Sequence, residues 1–123
     1  GDMVVMIPVY DSNHELADLC VWDPAAPGRW WLRYGDVAVL GGHALAVEAY
    51  HGGAIRLYAT PQEWLLGRPR GACILLWAAP LDHLFEGVGT VDCDSPELHQ
   101  RFMKALRRWE PRVVVRRRAR HAV

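Results

Sequence analysis

Apolar residues in this chain come in short blocks, and the spacing inside each block indicates its structure. The first block, MVVMIPVY over about residues 3–10, is rich in β-branched side chains and predicts a strand. Pro8 has no amide donor, so the strand belongs at a sheet edge or carries an irregularity. DSNHE reads as a turn. LADLCVW then alternates, with Leu19 and Val21 on one face and Asp18, Cys20 and Trp22 on the other. DPAAPGR is turn chemistry, WWLRYG returns as a strand, and VAVLGG follows. The pattern predicts a β-meander or hairpin near the N-terminus.

Further along, short helices and strands alternate. HALAVEAY, bracketed by glycine pairs, predicts a short helix, and AIRLYA a strand. TPQEW opens another helix: Thr60 can cap it, Pro61 fits the first helical position, and Glu63 completes a capping box. ACILLWA is continuously apolar, as in a central strand buried on both faces. PLDHLFEG predicts a short helix and TVDC a short strand. The best-defined element comes next. Asp94 or Ser95 can cap it, Pro96 starts it, and Glu97 suits its positive first turn. Leu98, Phe102, Ala105, Leu106 and Trp109 then share one face. Pro111 stops this helix, and RVVVR predicts a last strand.

The order implies an α+β or mixed α/β fold in a single domain. An N-terminal meander precedes alternating short helices and strands, with one long amphipathic helix near the C-terminus. The globular domain is expected over residues 1–115, and residues 116–123 are expected to form an exposed, flexible basic tail.

A chain of 123 residues fits one domain and can bury a core without disulfides or metals. No stretch approaches the ~20 continuous apolar residues of a membrane span. GDMVVMIPVY lacks the basic region and long apolar stretch of a signal peptide. Three cysteines, none adjacent in sequence, suggest reduced thiols and a cytoplasmic location.

The formal net charge is zero, but its distribution is uneven. Residues 101–123 hold nine basic residues against Glu110, a net of +8, and residues 1–100 hold five arginines against thirteen acids, a net of −8. Such a division suggests a basic patch that meets an external polyanion, or one neutralised by its own body or a second subunit.

Candidate chemistry is sparse. Cys93 precedes the long helix, whose N-terminus favours a thiolate, but Asp92 and Asp94 flank it and oppose that effect. The other two cysteines sit in apolar strands, so all three read as structural. Glu48 with His51, and His83 with Glu86, are each three apart and can share a helix face, but these helices are too short for a di-metal bundle. GVGT and LGGH lack the spacing and the lysine of phosphate loops and read as turns. Neither a cofactor nor a metal is expected.

The tryptophans carry more information. In a strand, Trp30, Leu32 and Tyr34 share one face, which looks like core, while Arg29, Trp31 and Arg33 share the other. An indole between two guanidiniums suits base stacking or phosphate contact. The competing, favoured reading packs Trp31 beneath a neighbouring element with arginine stems over it. On the long helix, Glu97, Arg101, Lys104 and Arg108 line one ridge, and Glu97 can pair with Arg101. Beyond the last valines, a guanidinium on a core face is costly unless paired, so the strand should leave the core near Arg116. Arg116, Arg117, Arg118 and Arg120 are then presented to solvent.

Two stretches, LADLCVWDPAAPGRWWLRYGDVAVLGG and LYATPQEWLLGRPRGACILLW, resemble uncharacterised small bacterial proteins of phage-like or plasmid-like elements, often encoded near replication genes. The resemblance covers about half the chain. It implies a nucleic-acid-related context and assigns no activity or functional residue.

Three readings follow, in this order. The first is a non-enzymatic domain that contacts nucleic acid non-specifically through phosphates, using Arg101, Lys104, Arg108, Arg116, Arg117, Arg118 and Arg120, with Arg29, Trp31 and Arg33 as a second patch. The second is a protein–protein module forming a homodimer through an apolar strand and an exposed tryptophan. The third is a small enzyme using Cys93, or Asp82, His83 and Glu86, in a cleft.

Overall fold

The computed structural model describes residues 3–67 and 70–107. Among these residues two sheets and four helices form an α+β domain, as the sequence pattern predicts. The first sheet is a meander of β1 (Val5–Tyr10), β2 (Leu16–Trp22) and β3 (Trp30–Leu32), all antiparallel. Pro8 lies in β1, an edge strand, so its missing donor leaves no gap within the sheet.

The second sheet has the order β4 (Val39–Leu40), β6 (Ala72–Ile74), β5 (Ala54–Tyr58), β7 (Thr90–Cys93). β5 runs parallel to both β6 and β7, while β4 is antiparallel to β6. VAVLGG therefore belongs to the second sheet rather than to the meander that precedes it. The helices are α1 (Gly42–His51), α2 (Pro61–Leu66), α3 (Leu81–Leu84) and α4 (Pro96–Arg107).

Alternation along the strands builds three layers. Val39, Ile55, Leu57, Ala72 and Ile74 point to one side of the second sheet and pack on Leu45, Leu81, Phe85, Leu98, Phe102 and Ala105 of the helical layer. Leu40 and Cys73 point to the other side and meet Val9, Cys20 and Trp22 of the meander. β6 is buried on both faces, which explains why its sequence shows no polar alternation. The strand is shorter than ACILLWA, because the chain leaves the ladder after Ile74.

Local signals act as expected at α2 and α4. Thr60 Oγ1 accepts from the Glu63 amide at 3.1 Å, and Ser95 Oγ accepts from the Leu98 amide at 3.2 Å. The turn before α1 requires glycine: Gly41 has φ +78°, and a Cβ there would lie 2.2 Å from the Gly71 carbonyl oxygen.

One departure from expectation shapes the site. Tyr34 was expected on the core face with Trp30 and Leu32, yet it is 62% exposed. The cause is Asp18, 1% exposed, whose carboxylate points inward from β2. Asp18 accepts from the amides of Leu19 (2.8 Å), Tyr34 (2.9 Å), Gly35 (2.9 Å) and Asp36 (3.1 Å). Capturing three successive amides turns the chain, ends β3 and takes Tyr34 out of the alternation. Burial pushes the Asp18 carboxyl up, but these amides together hold it below its usual value.

No helix among the described residues is long and apolar enough to cross a membrane. The predicted RVVVR strand, Trp109 and the tail over 116–123 lie outside the described residues.

Candidate nucleic-acid interface

Antiparallel pairing fixes which side chains face out of the meander. Met6 pairs with Val21, and Val21 with Trp31, forming one row across the three strands. Pro8 pairs with Leu19 in the next row. The opposite face holds the core residues Val9, Cys20 and Trp22, so this row faces outward. Trp31 is 60% exposed and Met6 59% exposed. The expectation that Trp31 packs beneath a neighbouring element is therefore corrected. No described element covers that face at Trp31 and Met6.

Trp30, its neighbour, turns inward and donates its indole N–H to the Leu75 carbonyl at 3.1 Å. This bond ties β3 to the segment that follows β6. Between them lies an open groove of about 550 Å³, lined by Arg29, Trp30, Trp31, Leu75, Trp77 and Arg101 among others. The Arg101 guanidinium stacks over the Trp77 ring, 4.1 Å from its centroid. Such a contact is worth about 0.5–2 kcal/mol, depending on how far it is removed from water. It leans Arg101 from α4 toward β3.

Two patches that are 68 or more residues apart in sequence thus meet. Arg29 and Trp31 belong to the predicted tryptophan face, Arg101 to the predicted helical ridge, and all three line one groove. Arg33 lies just beyond β3 and turns toward Tyr34, donating from Nε to the hydroxyl at 3.1 Å. Lys104 sits further along α4, beside a shallow groove that it lines with His99, Gln100, Met103 and Arg107. Arg108, Arg116, Arg117, Arg118 and Arg120 lie outside the described residues.

Trp77 was not singled out by sequence reasoning. Its place at the end of a buried apolar block gave no signal that its ring would carry an arginine. Its indole N–H is buried with no acceptor among the described residues, whereas those of Trp22, Trp30 and Trp64 are all bonded.

The candidates for catalysis do not assemble. Burial, aided by Asp92, pushes the Cys93 thiol up, opposite to what a nucleophile needs. Burial and then Asp18 push the Cys20 thiol up to about 12, and burial raises that of Cys73 as well. His83 is exposed and its Nε2 lies 3.8 Å from Asp82 of its own short helix. No group of three or more His, Cys, Asp or Glu side chains is placed to hold a metal ion among the described residues.

A different polar cluster does form. β5 and β7 are adjacent and parallel, and the helices that follow them leave on opposite faces. Trp64 of α2 packs toward the meander, whereas Leu98 and Phe102 of α4 pack in the helical layer. In open sheets, ligands bind beyond the carboxyl ends of strands related in this way. Arg56 and Asp94 form an ion pair there at 3.1 Å, and Asp92 is the register partner of Arg56. Glu63, the third residue of α2, sits beside Asp94. Burial first, and then hydrogen bonding to Asp94, push the Glu63 carboxyl up. Sequence reading assigned Glu63 to a helix cap and Asp94 to another cap; their proximity is a consequence of strand order.

No family model matches the chain, nor does any curated protein or solved structure.

Proposed function

We propose that this domain binds nucleic acid with little base specificity, through the groove between β3 and α4. The observation that carries the reading is the convergence of Arg29, Trp31 and Arg101 on that groove. Guanidiniums neutralise phosphates, and an exposed indole between them offers a surface that every base can stack upon. Lys104 and Arg107 extend the cationic track along α4, where the helix C-terminus also favours positive charge. Asp92 and Asp94 lie instead toward the carboxyl ends of β5 and β7. A context beside replication genes, implied by the resemblance of residues 16–42 and 57–77, belongs to the same reading.

The test is an anisotropy titration with labelled oligonucleotides at several salt concentrations. Phosphate binding predicts affinity that falls steeply and log-linearly with salt. Arg101→Ala and Lys104→Ala should each reduce that slope by about one ion. A salt-independent signal, or none at low salt, refutes the proposal.

A further inference from the structure

We infer that the ligand of this groove is single-stranded nucleic acid, with an unpaired base stacked on Trp31; the inference rests on the nucleic-acid reading above. Three observations point from a generic polyanion to a single strand. The first is the exposure of Trp31. Its indole stands 60% exposed on an edge strand, at the end of the row Met6, Val21, Trp31. A tryptophan left in water on a flat strand face offers a π surface. Duplex bases are already stacked on one another, and only their edges reach the grooves, so a duplex cannot use that surface.

The second observation is the chemistry around the indole. The outward positions Met6, Pro8, Leu19, Val21 and Trp31 are all apolar, and the acid of β2, Asp18, points into the core. Basic side chains border this face: Arg29 and Arg33 flank β3, and Arg101 lies across the groove. An apolar, aromatic strip with a cationic border complements a strand whose bases are splayed and whose phosphates run alongside. The charges match the phosphates, and the strip matches the bases.

The third is the arrangement of Trp77 and Arg101. Their stack, at 4.1 Å, lines the same groove as Trp31. Arg101 is thus held against a ring in the groove that Trp31 also lines, so a strand stacked on Trp31 can bring a backbone phosphate toward a cation. A groove lined by both an exposed indole and a ring-held cation suits one flexible strand, whose base and phosphate can be reached together.

The experiment compares a labelled oligo-dT strand and a mixed-sequence duplex of equal length, of roughly 20 nucleotides to match the reach of a small domain. Wild-type, Trp31→Ala and Trp31→Phe chains are titrated at one low salt concentration. Stacking on one base predicts that the single strand binds more tightly than the duplex. It also predicts that Trp31→Ala weakens single-strand binding about tenfold or more, and that Trp31→Phe, which keeps an aromatic face, restores most of the loss. Circular dichroism melts of both variants check that the fold is retained; the exposure of Trp31 predicts that it is. Duplex binding equal to or tighter than single-strand binding overturns the inference while leaving the nucleic-acid reading standing. So does a Trp31→Ala chain with wild-type single-strand affinity. Absence of binding to either oligonucleotide sinks the underlying reading, and this inference with it.

Discussion

Replacing Asp18 by asparagine probes the element that holds the candidate interface in shape. The wild-type carboxylate is 1% exposed and accepts four backbone amides, two from Leu19 and Tyr34 on Oδ1 and two from Gly35 and Asp36 on Oδ2. An asparagine side chain has one acceptor oxygen and one amino group. Whichever way the amide is turned, two backbone N–H groups then face an N–H₂ donor and lose their acceptor. An unsatisfied buried donor costs about 1–3 kcal/mol. These amides are only part-buried, so ~1–2 kcal/mol each is the fitting end of that range, and the asparagine variant should lose ~2–4 kcal/mol. At this chain length that corresponds to a fall in Tm on the order of 10 °C. Asp18→Ala removes all four bonds and should be worse, at ~4–5 kcal/mol, within the range seen when one partner of a buried charged group is removed.

The assay is urea unfolding at several pH values. The folded-state carboxyl is held below its usual value, so its stabilisation is present above about pH 4, the unfolded value. It is lost as pH falls through the folded value. The gap between wild type and Asp18→Asn should therefore be widest near neutrality and close in acid. An asparagine variant within about 0.5 kcal/mol of wild type at pH 7, the scatter of ordinary surface changes, refutes the carboxylate's role in the turn.

Other consequences follow from the same contacts. Burial and then Asp94 raise the Glu63 carboxyl, so its protonated form favours the folded state at acidic pH, and that advantage is lost as pH rises through the folded value. Glu63→Gln should thus raise Tm slightly at pH 7 and leave it unchanged near pH 4, as read by thermal melts. Gly41→Ala combines a left-handed backbone with a Cβ placed 2.2 Å from the Gly71 carbonyl oxygen, so it should cost at least ~2 kcal/mol in chemical denaturation. Cys20, with a thiol pushed up to about 12, should stay unmodified by a thiol reagent until the protein unfolds, as should Cys73; half-buried Cys93 should react first. Fast labelling of all three at pH 7 would contradict the packing between the two sheets.

The sequence determined the elements because their signals are local. The Pro8 edge strand, the alternation of LADLCVW, the Thr60 cap and the amphipathic stripe of Leu98, Phe102 and Ala105 each depend on neighbours within a few residues, and each appears in the structure. It also identified Arg29, Trp31 and Arg101 as groups suited to a polyanion, from residue type and face alone. Tertiary structure decided which of these groups lie together. Trp31 is exposed because no described element packs on its face of the meander, and no periodicity within WWLRYG encodes that. Tyr34 leaves the core because a carboxylate sixteen residues earlier captures its amide. Arg101 joins Arg29 and Trp31 because α4 packs where Trp77 can receive its guanidinium, and Glu63 meets Asp94 because β5 pairs beside β7. Contacts of this kind depend on the order in which strands pair and on which face each helix covers. Both are settled by burying the two core clusters together, so no single segment of the chain carries them.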